Sequence, residues 1–413
     1  MKLHIKLHHL LLLASLGIIT LNFHQPIHAL ESDGTAAETT TLNIKSKYPF
    51  VDLTKFQTRD TIAYQVPQKL DDGIRVANAK SLDNISEIIS LLNRIEKQNQ
   101  DFKQGKGKPV RSKKRESNRN PPINGCIDSV LIAKDGKLIL EEYFADANRD
   151  KPHYQMSITK SIVSYAIGKA IEQGHIKSDQ DLILQYLPEV DKTKIAKGVE
   201  TLKIADLLTM SSGIRYKVKG RQAKITKDNH AELYLINTTP ITKNKQYKYD
   251  GANLDILCHI LYNTTGQSLS EYTEQYLFGP MGINNFKFGK SICGLDKGAA
   301  GMSLRSRDMM KIALMTMDDG KWNDKQILNP QWIEKATAVH VNQHQPHQYG
   351  YFWWSNSVKH NGKTYRVRSA RGAGGQFIFM VPELKLAAVF TSYYATNEPI
   401  SLFANVIIPA FDK

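Results

Sequence analysis

Ser157 and Lys160, three residues apart in the tetrapeptide Ser-Ile-Thr-Lys, have the side chains of a nucleophile and its base. On a helix, residues three apart lie on the same face, one turn from each other. A serine becomes a nucleophile when a base lies within hydrogen-bond reach, and a lysine can be that base if burial keeps it neutral. This is the only Ser-x-x-Lys in the chain. Because so short a pattern also arises by chance, the rest of the sequence has to support it.

Two later segments could complete such a site. Tyr249 comes just before a predicted helix, so it lies on a loop from which its hydroxyl could point into a cleft. Beside a cation its phenol is expected to become more acidic and able to move a proton; a packing aromatic is the alternative. The segment Arg371–Gln376 contains three glycines and opens a predicted strand, where a substrate could approach the backbone. The N–H of Gly374 or Gly375 could then form an oxyanion hole with that of Ser157; a bulge or turn is the alternative.

Periodicity and turn residues predict the elements that would position these groups. Ser157 opens a predicted amphipathic helix in His153–Gly174, which ends at Gly174. Two β-type segments, Ile127–Lys134 and Lys137–Phe144, are joined by Asp135-Gly136, a strong hairpin signal. Residues 215–248 read as basic and irregular. Further helices are predicted over Ser81–Glu96, Thr201–Met210, Asn253–Thr265, Leu269–Leu277, Ser306–Met317 and from Pro399 onward, and further strands over Gln376–Val381 and Leu386–Tyr393.

The order of these elements predicts an α+β protein, within the α/β class in its broad sense. Strands lie at both ends of the folded region and helices dominate the middle, without the βαβ alternation of a doubly wound parallel sheet. We therefore expect one mainly antiparallel sheet, built from both chain ends and flanked by helices, with a mostly helical lobe inserted between. A cleft where the lobes meet would hold the site.

The first 29 residues predict export. Lys2 and Lys6 precede the twelve-residue apolar run Leu10–Leu21, and Ala29 offers a small residue for cleavage. An uncleaved inner-membrane anchor is the alternative to a periplasmic or secreted protein. The chain has 413 residues, 41% of them hydrophobic and 23% charged, which is the composition of an ordinary globular protein. Residues 30–122 are predicted to be an N-terminal extension with one helix and a basic loop, and residues 123–413 the main domain.

The basic character is partly local. Lys103–Arg119 holds eight Lys or Arg residues against one acid and reads as a solvated loop, with weak contact to an anionic surface as the sharper alternative. It interleaves no aromatics, so no nucleic-acid partner is expected. His340, His344 and His347 read as a polar loop rather than a metal site. No cysteine has metal-ligand or CxxC spacing. Cys258 is expected to be buried, while pairing of Cys126 with Cys293 and the oligomeric state stay open.

These motifs together resemble the serine β-lactamase and penicillin-binding-protein superfamily, and most closely its class C-like branch of β-lactamase-related serine hydrolases. Supporting stretches run in order over about residues 123–395, among them SVLIAKDGKLILEEYF, LKIADLLTMSSGI and GGQFIFMVPELKLAAVF. The resemblance implies a β-lactamase/transpeptidase-like fold with Ser157 as the acylated nucleophile, Lys160 as its base and Tyr249 as a second acid/base. It also implies an ester or amide of a small molecule or short peptide as substrate, and neither cofactor nor metal.

The sequence departs from that pattern in the substrate-binding motifs. The usual Tyr-x-Asn reads Tyr249-Asp250-Gly251, so Asn253 could supply the amide only if the loop differs. The usual Lys-Thr-Gly reads Gly372-Ala373-Gly374, which leaves Arg371 or Arg368 as the cation for a substrate carboxylate. These losses favour an esterase or amidase. A D-alanyl-D-alanine-type peptidase or weak β-lactamase, and a non-catalytic binding protein on the same fold, are the alternatives.

Overall fold

The computed structural model describes residues 57–80, 85–104, 126–215, 225–243, 245–342, 348–393 and 397–412. The predicted signal peptide, most of the basic segment 103–119, and His344 and His347 lie outside these residues. None of the described helices is long and apolar enough to cross a membrane.

Among the described residues, eight strands form the main sheet. They are β1 (Ile127–Lys134), β2 (Lys137–Tyr143), β8 (Val341–Asn342), β9 (Gln348–Tyr349), β10 (Trp354–His360), β11 (Lys363–Gly372), β12 (Gln376–Val381) and β13 (Leu386–Ser392). Their spatial order is β2-β1-β13-β12-β11-β10-β9-β8, and every neighbouring pair is antiparallel. The sheet therefore joins both ends of the folded region, as the sequence predicted.

Helices cover both faces of the sheet. Strand β12 shows why, since its side chains alternate between two apolar layers. Phe377, Phe379 and Val381 pack with α1 (Ile85–Lys103), α9 (Glu398–Leu402) and α10 (Ile408–Phe411), whereas Ile378 and Met380 pack with the helices of the middle of the chain. A strand that is apolar on both faces must lie between two layers.

The helical middle of the chain packs on the second face. It comprises α2 (Thr159–Glu172), α3 (Ile204–Leu208), α4 (Lys227–Ile236), α5 (Ala252–Thr265), α6 (Leu269–Thr273), α7 (Ser306–Met317) and α8 (Pro330–Thr337). A small sheet of β3 (His153–Tyr154), β5 (Met302–Leu304) and β4 (Lys287–Phe288) lies beside it, and β6 (Lys321–Trp322) pairs with β7 (Lys325–Gln326). Helix α2 is buried almost throughout its length.

The structure corrects two local predictions and decides a third between its alternatives. The helix predicted to open on Ser157 begins two residues later, at Thr159, because Ser157 lies in the 3₁₀ turn Met156–Ile158 that follows β3. The region 215–248, predicted to be irregular, contains α4. For the glycines at 372–375, predicted either to open a strand that a substrate could approach or to form a bulge or turn, the structure shows the turn. They end β11 and form the turn to β12, and β11 lies between β10 and β12.

Candidate active site

The turn that carries Ser157 has an unusual backbone. Met156 has a φ of +50°, a region in which non-glycine residues are strained and which recurs at functional sites. The Thr159 hydroxyl donates to the Met156 carbonyl at 2.6 Å, and the Gln155 amide N–H donates to the Met302 carbonyl at 2.8 Å. The turn between β3 and α2 is therefore held on both sides, and the direction of the Ser157 side chain is set by the backbone.

Lys160 lies against Ser157 in the first turn of α2. Its Nζ is 2.9 Å from Ser157 Oγ and also donates to the Ala299 carbonyl. The residue is only 4% exposed. Burial lowers the pKa of Lys160 to about 7, although the charge of Asp255 acts in the opposite direction. A large fraction of this lysine is therefore neutral at physiological pH, as a general base must be.

Tyr249 closes the site on the loop before α5. Lys160 Nζ lies 4.8 Å from the centroid of its ring, and the Trp354 ring is 5.9 Å away. The residue exposes 39% of its surface, while its hydroxyl end interacts with Ser157. Desolvation raises the pKa of Tyr249 to about 12, against the opposing effects of Ser157 and Arg371. The expectation of a more acidic phenol was wrong, because desolvation outweighs the neighbouring cation.

The glycine turn between β11 and β12 lies against the Ser157 turn. A Cβ on Gly372 would be 2.3 Å from the Gln155 carbonyl oxygen, so only glycine allows this approach. Gly374 and Gly375 have φ angles of +86° and +102°, and the Gly375 N–H makes a long bond of 3.4 Å to the Gly372 carbonyl. The structure thus brings the Ser157–Lys160 pair, Tyr249 and the glycine turn together. Tyr249 lies 92 residues after Ser157 in the sequence, and the glycine turn lies later still.

Comparison with known proteins identifies the family. The family model described as Beta-lactamase matches residues 128–404, well over half of the chain. This chain belongs to the Beta-lactamase family. It is 22% identical over 227 residues to the 6-aminohexanoate-dimer hydrolase of Paenarthrobacter ureafaciens, a match that covers 52% of this chain and 57% of that protein. The chain thus spans less than two thirds of that relative's length.

Solved structures of low sequence identity share the fold. A putative 6-aminohexanoate-dimer hydrolase from Bacillus anthracis superposes with a TM-score of 0.55 at 21% identity, over 68% of this chain and 78% of that one. The hydrolase EstCE1, described as having promiscuous acyltransferase activity, gives 0.57 at 16% identity, over 79% of this chain and all of that one. These likenesses confirm the β-lactamase/transpeptidase-like fold, and the family makes the chain a hydrolase homologue.

Arg371 is the cation that the structure places beside Tyr249. Its Nε donates to Ser369 Oγ at 2.9 Å, its guanidinium also bonds to Asn356, and it lies 5.0 Å from the centre of the Trp354 ring. Burial lowers the pKa of Arg371 to about 10, partly offset by nearby tyrosines, so it is charged at neutral pH. It can attract an anionic group on a ligand near Tyr249.

Asn253 is placed inside the Tyr249 loop. It is buried at the start of α5, and its Nδ2 donates to the Asp250 carbonyl at 3.1 Å and faces Met210 Sδ at 3.4 Å. The Lys248 N–H in turn donates to the Met210 carbonyl at 2.8 Å. Asn253 thereby fixes the loop that carries Tyr249, and its contact with a substrate stays a prediction.

The structure confirms the polar setting predicted for His340, which is exposed, and the predicted burial of Cys258. His340 bonds through Nε2 to the Lys335 carbonyl at 2.7 Å and stacks on Tyr351. Cys126, Cys258 and Cys293 are all buried free thiols, so the open question of a Cys126–Cys293 bridge is answered in the negative. Sequence reasoning missed a buried group formed by His230, His259 and Cys293. The one local signal was a polar histidine, His259, within the apolar stretch of α5.

Proposed function

We propose that this chain is a serine hydrolase that cleaves an ester or amide through an acyl-enzyme on Ser157. The observation that carries the proposal is the 2.9 Å contact of Lys160 Nζ with Ser157 Oγ, made by a buried lysine whose pKa is about 7. In its neutral form the amine accepts the serine proton while Oγ attacks the substrate carbonyl. The carbonyl oxygen becomes an oxyanion, held by the backbone N–H groups of Ser157 and Gly375, or Gly374.

Tyr249 takes the second proton transfer. Because its pKa is about 12, the phenol is protonated at neutral pH and suited to donate to the departing alcohol or amine. Lys160, which holds the proton taken from Ser157, lies against the Tyr249 ring and can return a proton to this region. Water then attacks the acyl-enzyme, with the same two groups acting in the reverse direction, and restores Ser157.

The surroundings of Tyr249 indicate the kind of substrate. The rings of Tyr349 and Trp354 lie 6.3 and 5.9 Å from that of Tyr249, and Arg371 stacks on Trp354. Aromatic walls favour an apolar or aryl acyl group, and the guanidinium favours a negatively charged end. A small ester or amide, or a short peptide, meets this description. No nucleic-acid partner is needed for the proposal.

The experiment is a substrate panel with a matched pair of serine variants. Wild type, Ser157→Ala and Ser164→Ala are assayed on p-nitrophenyl esters, a linear 6-aminohexanoate dimer, a D-alanyl-D-alanine peptide and a chromogenic cephalosporin. Ser164 is the control because its hydroxyl is buried on the same helix without a hydrogen-bond partner among the described residues. We expect Ser164→Ala to match wild type and Ser157→Ala to lose roughly 10³-fold or more of its turnover.

The panel separates the alternative functions. Turnover of the peptide or cephalosporin with no turnover of esters or the amide dimer would favour the peptidase or β-lactamase. A folded wild-type protein that turns over none of the four would favour a binding protein and contradict the proposal, as would wild-type activity in Ser157→Ala.

We also propose that the chain is exported through residues 1–29. Their charged start, short apolar run and small residue at position 29 support cleavage of these residues as a signal peptide. Cell fractionation followed by N-terminal sequencing tests this. A mature protein that begins near residue 30 in the periplasm or medium is expected, and a cytosolic protein that retains residues 1–29 would contradict it.

A further inference from the structure

Three buried side chains converge at a point that the proposed hydrolysis does not use. His230 lies on α4, His259 on α5 and Cys293 on the loop between β4 and β5, and they are 5%, 2% and 8% exposed. His230 Nδ1 lies 3.3 Å from His259 Nε2, and Cys293 Sγ lies 3.8 Å from the same nitrogen. All their ligand atoms lie within 4.8 Å of one another.

These distances match the edges of a tetrahedral coordination sphere. With Zn–N bonds of about 2.05 Å and Zn–S bonds of about 2.3 Å, tetrahedral angles place two nitrogens about 3.3 Å apart and nitrogen and sulfur about 3.6 Å apart. Hydrogen bonds alone cannot satisfy all the polar atoms of these three side chains. His259 Nε2 has either one proton or one lone pair, yet it faces both His230 Nδ1 and Cys293 Sγ.

We propose that His230, His259 and Cys293 bind one zinc ion, with water in the fourth coordination position. Two imidazoles and a thiolate form a donor set that suits zinc over magnesium or calcium, which prefer oxygen. The site is separate from Ser157, and its failure or success leaves the proposed hydrolysis untouched.

The loop around Cys293 is shaped for such a ligand. The Ser291 N–H donates to the Leu295 carbonyl at 2.7 Å and the Gly294 N–H to the Ser291 carbonyl at 3.0 Å, which makes a tight turn around the thiol. Ser291 Oγ lies 3.0 Å from Cys293 Sγ, where it can donate to a thiolate as outer-sphere groups do in metal sites. The neighbouring Ile292 is 72% exposed, so the loop is at the surface and offers a route for the ion.

A zinc ion at this position would join α4, α5 and the loop that contains Cys293. Tyr234 of α4 already donates to Asp255 of α5 at 2.7 Å, one turn before His259. The loop that starts at Cys293 continues to Ala299, whose carbonyl accepts from Lys160. The ion would therefore fix α4, α5 and this loop against one another, and we expect it to raise the melting temperature.

The test measures metal directly. Full-length protein with a histidine-free affinity tag is stripped with chelator, given one equivalent of zinc, passed through gel filtration and analysed by elemental mass spectrometry. Cys293→Ser and His259→Asn remove ligands. Cys258→Ser is the matched control, because Cys258 is the residue before His259 and its sulfur faces Gly298 instead. Circular dichroism checks that each variant is folded.

We expect about one zinc per chain in wild type and Cys258→Ser, and less than about 0.1 in the ligand variants. A measurement on wild type alone guards against variants that do not fold. Zinc should slow alkylation of Cys293 at least about tenfold, read by peptide mass mapping, and leave Cys126 and Cys258 unchanged. Wild type that retains no zinc, Cys293→Ser that retains as much as wild type, or alkylation of Cys293 that zinc does not slow would overturn the proposal.

Discussion

Lys160 Nζ lies 2.9 Å from Ser157 Oγ, and Lys160 is almost fully shielded from water. Both the distance and the burial are needed for Lys160 to act as a base. The distance gives the amine access to the serine proton, and the shielding keeps a large fraction of it unprotonated near neutral pH. An exposed lysine at the same distance would be charged and could not act as a base.

The activity should therefore depend on pH through Lys160. Because the amine acts when deprotonated, kcat/KM should rise about tenfold per pH unit below pH 7 and level off above it, since the pKa of Lys160 is about 7. The measurement is initial-rate kinetics on the best ester of the panel from pH 5 to 9, with Ser157→Ala subtracted as the blank. Lys160→Arg, always protonated, should be inactive throughout. A flat profile, or an active arginine variant, would contradict the role of Lys160.

The free energy of unfolding should also depend on pH through Lys160. The pKa of Lys160 falls from 10.5 in the unfolded chain to about 7 in the fold, so between these values the unfolded state binds the extra proton. Wild-type stability therefore rises with pH across this window, by an amount on the order of a few kcal/mol. Below it, the fold must bury a charge.

Lys160→Met removes that titration. The difference in melting temperature, variant minus wild type, should be more positive at pH 6 than at pH 9.5. Comparing this difference between the two values of pH cancels the constant cost of leaving Ser157 Oγ and the Ala299 carbonyl without their donor. Lys137→Met, at an exposed lysine in β2, controls for the loss of a lysine in general. An equal difference at both values of pH would show that Lys160 does not titrate in this window.

Tyr249→Phe tests the hydroxyl without removing the ring that lies against Lys160. We expect kcat to fall by roughly 10²–10⁴-fold, the usual contribution of a positioned acid. Tyr247→Phe is the control, because the Tyr247 hydroxyl is buried without a hydrogen-bond partner among the described residues and should be dispensable. Parallel steady-state assays decide the matter, and losses of equal size in the two variants would count against a specific role for Tyr249.

Gly372→Ala should disturb the site through the backbone. The new Cβ would lie 2.3 Å from the Gln155 carbonyl, so β11 or the Ser157 turn has to move. We expect a loss of about 10-fold or more in kcat/KM and of about 1–3 kcal/mol in the free energy of unfolding. At Gly289 a Cβ meets its nearest neighbour at 3.7 Å, so Gly289→Ala should change neither by much. Denaturant titration and kinetics on both variants give the answer, and a neutral Gly372→Ala would refute the close packing.

Elements with strong local chemistry could be predicted from the sequence. The β1–β2 hairpin has positive φ at both Asp135 and Gly136, which is the conformation that an Asp-Gly turn favours. Helix α7 has the predicted bounds Ser306–Met317, since its apolar stripe is regular. The main antiparallel sheet, built from both ends of the folded region, followed from the order of the elements.

Elements whose stability comes from tertiary contacts could not be predicted. Strand β10 is mostly polar, and α4 lies in a stretch with no clear apolar stripe, so neither has a periodic signal. The strained backbone of Met156 places Ser157 in a 3₁₀ turn before α2, although helical spacing suggested that Ser157 opens the helix. Local propensity does not reveal strain of this kind, because the surrounding structure imposes it.

In the candidate active site, too, some features could be predicted from the sequence and others could not. The Ser157–Lys160 contact depends on residues three apart, and the spacing predicted it. The pKa of Tyr249 depends on how deeply its hydroxyl is desolvated, and the sequence gives the neighbouring cation but not the burial. The group of His230, His259 and Cys293 joins residues 29 and 34 positions apart, and no motif signals such distances.

Covalent trapping is the most direct test of whether Ser157 forms an acyl-enzyme. Wild type and Ser157→Ala are treated with a fluorophosphonate and, separately, quenched during turnover of a slow ester, then digested and mapped by mass spectrometry. We expect one modified peptide in wild type, with the added mass on Ser157, and none in Ser157→Ala. Modification at another residue, labelling that persists in Ser157→Ala, or an unmodified Ser157 in an enzyme that turns over the ester would contradict an acyl-enzyme on this serine.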